Sequence, residues 1–313
     1  MIKLGLAGTW HVHFKGYVRQ FLDTGKCELA CLWDPDAEKA AAAGEELGIP
    51  ATNDIDAFFK EDFDAVMVCC ETVLHPQVYL KAAAAKKHIF TEKVLTEKPE
   101  DAIKVQKAVE ESGVKFCISF PWRSRADFLW IKNAVDSGLL GEISSVRMRN
   151  AHNGVSAGWL PAGFLDREIT CGGAMMDLGA HSMYILNWLL GEPQAATSVF
   201  TNMLCKSVED NCVSVLKYKS GAVGINETAF VAQNDPFSLE VCGTKGTALC
   251  GWDSDRLTVN TGNGWEQPDL PENAPTPVQL FVGGILGENE IPYGIEDAVE
   301  LTKTMWLAYS NII

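Results

Sequence analysis

Over its first 120 or so residues the chain alternates short, nearly continuous apolar runs with longer amphipathic ones. The runs IKLGLAG, CELACLWD, FDAVMVCC, HIFTEK and VKFCISF predict strands. Between them, HFKGYVRQFLDTG, PDAEKAAAAGEELG, HPQVYLKAAAAKK and PEDAIKVQKAVEESG repeat with helical period. Pro35 and Gly48 frame the second of these helices as start and stop signals. Strands that are apolar at successive positions are buried on both faces, so the pattern predicts a parallel sheet with helices on either side. We read residues 1–120 as a doubly wound α/β (Rossmann) domain.

The pattern changes after Pro121. DFLWIKNAVDSGLLG predicts a helix and ISSVRMRNAH a strand, followed by an irregular Gly- and Trp-containing stretch from Asn153 to Gly173. AMMDLGAHSMYILNWLLG predicts one long helix stopped by Gly191 and Pro193. From Ala195 to Val259 the period is that of strands, with turns at KSG, QNDP and GTKG. YGIEDAVELTKTMWLAYSN predicts a closing helix. Residues 121–313 are therefore expected to form an α+β domain on a large, mostly antiparallel sheet open on one face, serving substrate binding and oligomerisation.

Composition narrows the function classes. Of 313 residues, 47% are hydrophobic and 21% charged, enough apolar material for a substantial core. A formal net charge of −15 leaves no basic footprint for nucleic acid or an anionic membrane surface. The ten cysteines (27, 31, 69, 70, 117, 171, 205, 212, 242 and 250) include no C-x-x-C pair and sit mostly in apolar runs, which predicts reduced, buried thiols and a cytoplasmic setting. MIKLGLAG lacks the apolar core of a signal peptide, and no apolar window is long enough for a transmembrane helix.

Three stretches carry candidate chemistry. In GLAGTWHVHF, a strand ending at Gly8 leads into a helix expected from about Val12, and Asp34 ends the second strand. This is the context of a dinucleotide-binding turn, in which a carboxylate accepts the ribose hydroxyls and repels a 2′-phosphate, favouring NAD over NADP. Only the first glycine of G-x-G-x-x-G is present, with Trp10 and His13 at the other two places. An anion can still rest on amides at the helix N-terminus. The rival reading makes His11 and His13 metal ligands of a barrel hydrolase, but the second half lacks the strand–helix alternation of a barrel.

In FTEKVLTEKPEDA, Glu92 and Lys93 close the fourth strand, the end at which open parallel sheets take ligands. Lys93 there is a candidate proton donor or alkoxide stabiliser, or else half of a solvated ion pair. In CGGAMMDLGAHSMYILNWLLGEP, Asp177 and His181 stand four apart on one helix face, with Tyr184 and Trp188 continuing the stripe. Asp177 can orient the imidazole, and the preceding Gly172–Gly173 pair permits close backbone approach to a cofactor or substrate. A structural Asp–His pair is the alternative.

Taken together, TEKVLT, the DFDAVMVCCETVLHPQ strand, AVDSGLLGEISSVRMR, GGAMMDLGAHSMYILNWLLGEP and LEVCGTKGTALC resemble, in order, the glucose–fructose oxidoreductase/inositol dehydrogenase (Gfo/Idh/MocA) family. The resemblance spans essentially the whole chain. It implies NAD(P)-dependent oxidation or reduction of a sugar, polyol or related alcohol, with Lys93, Asp177 and His181 catalytic. It also implies that Gly8, Thr9, Trp10, His11, Asp34, Cys70, Thr72, His75, Glu92 and Lys93 line the cofactor. Val94 departs from the family's proline after the lysine. By position, Trp122, Arg123, Trp159 and Asp166, with His181, are candidates for substrate contact, although each also suits interdomain packing. The expected mechanism has His181 remove a hydroxyl proton while Lys93 steadies the same oxygen. Other readings are a glycoside-cleaving enzyme acting through transient oxidation, and a sensor that binds NAD without turnover. An exposed sheet face predicts a homodimer or tetramer.

Overall fold

A computed structural model describes residues 1–251 and 254–313. The first sheet contains β1 (Ile2–Ala7), β2 (Cys27–Trp33), β3 (Ala51–Thr52), β4 (Ala65–Val68), β5 (His88–Thr91) and β6 (Phe116–Ile118). All its pairings are parallel, in the order β3-β2-β1-β4-β5-β6. That order reverses direction at β1, which places the ligand crevice beyond the carboxyl ends of β1 and β4. Strand β3 was not expected, because two residues after Pro50 are too few to show a period.

The helices follow their local signals. Asp36 accepts the amides of Glu38 (2.9 Å) and Lys39 (3.2 Å) and so starts Ala37–Leu47; such a cap stabilises by about 1 kcal/mol. Gly48, at φ 67°, ends it. Phe14–Asp23 buries Phe14, Tyr17, Val18 and Phe21, the stripe written in its sequence. Phe21 meets the rings of Phe90 and Phe281, so Pro277–Leu286, a helix the hydrophobic pattern does not announce, closes the core beside β5. Its signals are nonetheless present: Pro277 follows the Thr276 cap, and the Thr276–Gln279 pair forms a capping box.

The chain divides into two compact units: residues 1–119 with 275–302, and residues 120–274 with 303–313. The second unit is built on β7 (Ile143–Ala151), β8 (Pro193–Thr201), β9 (Asn211–Tyr218), β10 (Val223–Ala229), β11 (Phe237–Gly243), β12 (Thr247–Gly251) and β13 (Ser254–Asn260). Their order is β13-β12-β11-β7-β10-β9-β8, antiparallel except for the β7–β10 pair. In β9, exposed and buried residues alternate without exception, so one face of the sheet is covered and the other open. Helix Ala180–Leu190 packs on β7 and β10 from the covered side. The single long helix expected from Ala174 is two pieces: a π-wound turn, Met175–Gly179, precedes the α-helix. No described helix is long and apolar enough to cross a membrane.

Candidate active site

In the first unit, β1 ends in a turn that is tightly held by the protein itself. Gly8 has φ 84°, and a Cβ there would stand 2.3 Å from the Cys70 backbone, so only glycine fits. The Thr9 amide (2.9 Å) and hydroxyl (2.6 Å) both donate to Asp34 Oδ2, while the Asp36 amide donates to Oδ1 (3.0 Å). Gly8 N donates to Trp33 O, His11 N to Cys69 O and His13 N to His11 Nδ1. The amides of Gly8, Thr9, His11 and His13 are thus committed within the protein. The turn departs here from a loop that offers its amides to a phosphate. The helix begins at Phe14, two residues later than the pattern implied.

Asp34 is buried, and the neighbouring carboxylate of Glu71, at the exit of β4, has a buried Oε2 with no hydrogen-bond partner among the described residues. Burial, and then the nearby Asp34 and Asp36, push the Glu71 carboxyl up, against the downward pull of its own backbone and Lys39. An acceptor that lacks a donor beside a second carboxylate fits the hydroxyl pair of a ribose. The residues present therefore fit a dinucleotide at its sugar. Cys70 and Thr72 are buried at this exit, and Trp10 is half-buried.

Glu92 and Lys93 follow β5 and are both buried. Glu92 accepts from His13 Nδ1 (2.8 Å), from the Tyr17 hydroxyl and from the Lys93 amide (2.9 Å), and the Tyr17 oxygen in turn accepts from the Ser119 hydroxyl (2.8 Å). Burial alone would raise the Glu92 carboxyl, but His11, His13 and Lys93 outweigh it and hold it well below the usual range. The peptide between Lys93 and Val94 is cis, the position where a proline was expected. The buried His75 ring lies between Val94 O (Nδ1, 2.8 Å) and Cys70 O (Nε2, 3.2 Å), and burial lowers its pKa. A neutral imidazole carries one N–H, so His75 donates to one of these carbonyls, the nearer being Val94 O in the backbone after Lys93.

His11, His13 and Glu92 bring ligand-type atoms within 4.8 Å of one another, the only such trio among the described residues. Its chemistry is that of a hydrogen-bonded network. His11 Nδ1 accepts the His13 amide, which places the proton of a neutral His11 on Nε2. Both Glu92 oxygens already accept hydrogen bonds. The sequence missed Tyr17 and Ser119, whose roles depend on a fold that brings residues about a hundred positions apart into contact.

In the second unit, His181 is buried, with the Trp122 ring stacked on it (4.8 Å between centroids, 27°) and Tyr184 Oη 3.2 Å from its Nδ1. Trp122 also receives Phe237 edge-on, and its amide donates to Tyr184 Oη. Asp177 lies half-buried in the π-turn, one helical turn before His181. π-turns within helices occur often where function requires a re-aimed side chain. The Gly172–Gly173 pair has an internal cause. A Cβ on Gly172 would stand 2.2 Å from Tyr309 Oη, and one on Gly173 2.1 Å from Glu209 O, so these glycines admit protein atoms where the sequence suggested a ligand.

The remaining candidates separate. The Arg123 guanidinium lies over the Trp188 ring at 5.1 Å, near His181's helix. Trp159 is 54% exposed and donates through Nε1 to Asn153 Oδ1 (2.9 Å), beside the His152 ring. Asp166 caps the short helix Arg167–Thr170 by accepting the Glu168 amide at 3.0 Å.

Comparison with known proteins places the fold in a family. Residues 2–120 match the model of the oxidoreductase family with an NAD-binding Rossmann fold, and residues 128–249 match the GFO/IDH/MocA C-terminal domain. The chain belongs to this oxidoreductase family, and its first unit is the NAD-binding Rossmann domain. It is 27% identical to 1,5-anhydro-D-fructose reductase of Ensifer adhaerens over 80% of this chain and 75% of that one. It is likewise 27% identical to scyllo-inositol 2-dehydrogenase (NAD(+)) of Bacillus subtilis strain 168, covering 79% of this chain and 72% of the relative. Aldose-aldose oxidoreductase of Caulobacter crescentus, solved with glycerol, shares the fold at 21% identity and a TM-score of 0.84, covering 99% and 97% of the two chains.

Proposed function

We propose, with membership of the Gfo/Idh/MocA oxidoreductases as the premise, that this protein oxidises a secondary alcohol of a sugar or polyol, or reduces the matching ketone, with NAD. The observation that carries this reading is Lys93, buried at the carboxyl end of β5 in a sheet of Rossmann order. Burying an ammonium is costly, and sites of catalysis are where that cost is commonly met. Bound NAD supplies the hydride acceptor; the chain's residues supply position and proton movement.

His181, held against Trp122 and Tyr184, is the group we assign to take the hydroxyl proton, and Lys93 the group we assign to steady the negative charge that develops on oxygen. Asp177 supports the imidazole in its charged form. The Glu92 network and His75 fix the backbone that carries Lys93. Asp34 and Glu71 receive the ribose hydroxyls, and their charge selects NAD over NADP. Trp122 and Arg123 are the substrate contacts this arrangement favours, Trp122 because it stacks on His181 and Arg123 because it lies over Trp188 of that helix.

The oligomer we infer is a dimer or tetramer formed through the open face of the second sheet. Val199 pairs directly with Val213, and with Val215 and Val223 these side chains are 37–47% exposed on adjoining strands. Exposed apolar side chains on an open sheet favour a covering partner.

The test is turnover of a panel of inositols, anhydrosugars and alkyl glucosides with NAD, followed at the nicotinamide absorbance. Lys93→Met and His181→Ala are expected to lower kcat by roughly 10²- to 10⁴-fold with the NADH Kd little changed. Full turnover by both variants would overturn the roles assigned.

A further inference from the structure

The sequence directs attention to Asp177 and His181; the structure shows what holds them. Glu209, two residues before β9, is 6% exposed. One of its carboxylate oxygens, Oε1, accepts the Gly173 amide (2.7 Å), the Met175 amide (3.3 Å) and the Tyr309 hydroxyl (2.5 Å). Its main-chain carbonyl accepts the Ala174 amide at 2.9 Å. Three consecutive amide-bearing positions at the entry to the π-turn thus close on one residue. The Asp177 amide then donates to Gly173 O (2.9 Å), linking that entry to the catalytic carboxylate's own backbone.

The carbonyls along the turn are received from the other side. Thr228 Oγ1 donates to Ala174 O (3.3 Å), Asn226 Nδ2 to Gly179 O (2.8 Å) and Asn150 Nδ2 to Leu178 O (3.3 Å). These three residues stand on β7 and β10. A π-wound turn leaves the regular helical ladder, and its backbone groups need other partners. The sheet and Glu209 provide them. The two glycines are small because Glu209 and Tyr309 occupy the space a Cβ would fill.

We infer that Glu209, clamped by Tyr309, is a positioning residue that sets the π-turn and thereby the placement of Asp177 and His181. The inference rests on the reading that these two residues serve the reaction. Tyr309 is suited to the role: burial, and then Glu209, push its hydroxyl well above the usual range, so it remains a proton donor to the carboxylate.

The experiment compares Glu209→Ala, Glu209→Gln and Tyr309→Phe with the full-length protein by amide hydrogen exchange, kcat on the best alcohol of the panel, and NADH affinity. In Glu209→Ala the amides of residues 173–178 are expected to exchange about tenfold faster or more, while those of β8 and β9 are unchanged. Its kcat is expected to fall by about 10²-fold, the scale for displacing a catalytic group by about 1 Å, with the NADH Kd within about twofold. Glu209→Gln keeps an accepting oxygen and is expected to restore most of both. A residue that only stabilises the fold would lower Tm and leave kcat of the folded enzyme intact, so a folded Glu209→Ala with wild-type exchange and kcat overturns the inference. Should Glu209→Ala not fold, Tyr309→Phe decides: wild-type exchange over 173–178 sinks the clamp, faster exchange there supports it. If the wild type turns over no alcohol, the functional reading falls, while the exchange measurements still decide whether Glu209 sets the turn.

Discussion

Trp122 lies stacked on the imidazole of His181, 4.8 Å from centroid to centroid. The contact joins the first turn after β6 to the helix of the second sheet and fixes the ring plane of the residue assigned as proton acceptor. Tyr184 completes the hold at Nδ1. Trp122→Ala is expected to lower kcat/KM by about tenfold or more, and Trp122→Phe, which keeps an aromatic face, by less. Steady-state kinetics on one alcohol with saturating NAD checks the order.

Asp34 and Glu71 make a cofactor prediction. Asp34 Oδ2 is already shared by the Thr9 amide and hydroxyl, so removing Asp34 disturbs the turn as well as the charge. Glu71 has the orphaned oxygen. Glu71→Gln is expected to raise NADP affinity relative to NAD by about tenfold, one charge–charge contact's worth at a half-buried site. Titration of both dinucleotides by fluorescence gives the ratio; an unchanged ratio would remove Glu71 from cofactor selection.

Stability is expected to fall on acidification in two stages. His75 has a pKa below its unfolded value of about 6.5, so the stability it contributes is fully present above that pH and is lost as pH falls toward and through its folded value. Glu92, held well below the usual carboxylate range, contributes stability present above the unfolded value of about 4.3 and lost as pH falls through its folded one. Each unit of depression is worth about 1.4 kcal/mol. Denaturant melts between pH 8 and 3 are expected to show His75→Gln flattening the upper stage and Glu92→Gln the lower. A wild-type slope in either variant would assign that stage elsewhere.

The open face of the second sheet supplies a test of assembly. Val215→Glu places a charge among Val199, Val213 and Val223. Light scattering is expected to show a dimer or tetramer for the wild type and a smaller species for the variant. A monomeric wild type would contradict the inferred interface.

Much of this architecture was legible in the chain because burial on both faces leaves a distinctive pattern: the apolar runs of β1, β2, β4, β5 and β6 mark themselves. Strand β3 is too short to show a period. Helix Pro277–Leu286 carries a capping box, but its flanking prolines and glycines hide the helical period. Asp177 and His181 stand out by residue type and spacing, whereas Lys93 is singled out by its place at a strand end and by the family resemblance. What surrounds them did not, because the relevant partners are remote in sequence: Tyr17 to Glu92, Tyr309 to Glu209, His75 to Val94. The Gly172–Gly173 pair shows the limit most plainly. Glycine announces a close approach but not what approaches, and here it is protein.

The most direct test of the central claim is a single-turnover measurement of NADH formation on a polyol or sugar of the panel, comparing wild type with Lys93→Met and His181→Ala at equal NAD saturation. The account predicts NADH formation by the wild type and its loss by roughly 10²-fold or more in each variant, with cofactor still bound. NADH formation at the wild-type rate in both variants, or none by the wild type on any alcohol while NAD binds normally, would contradict it.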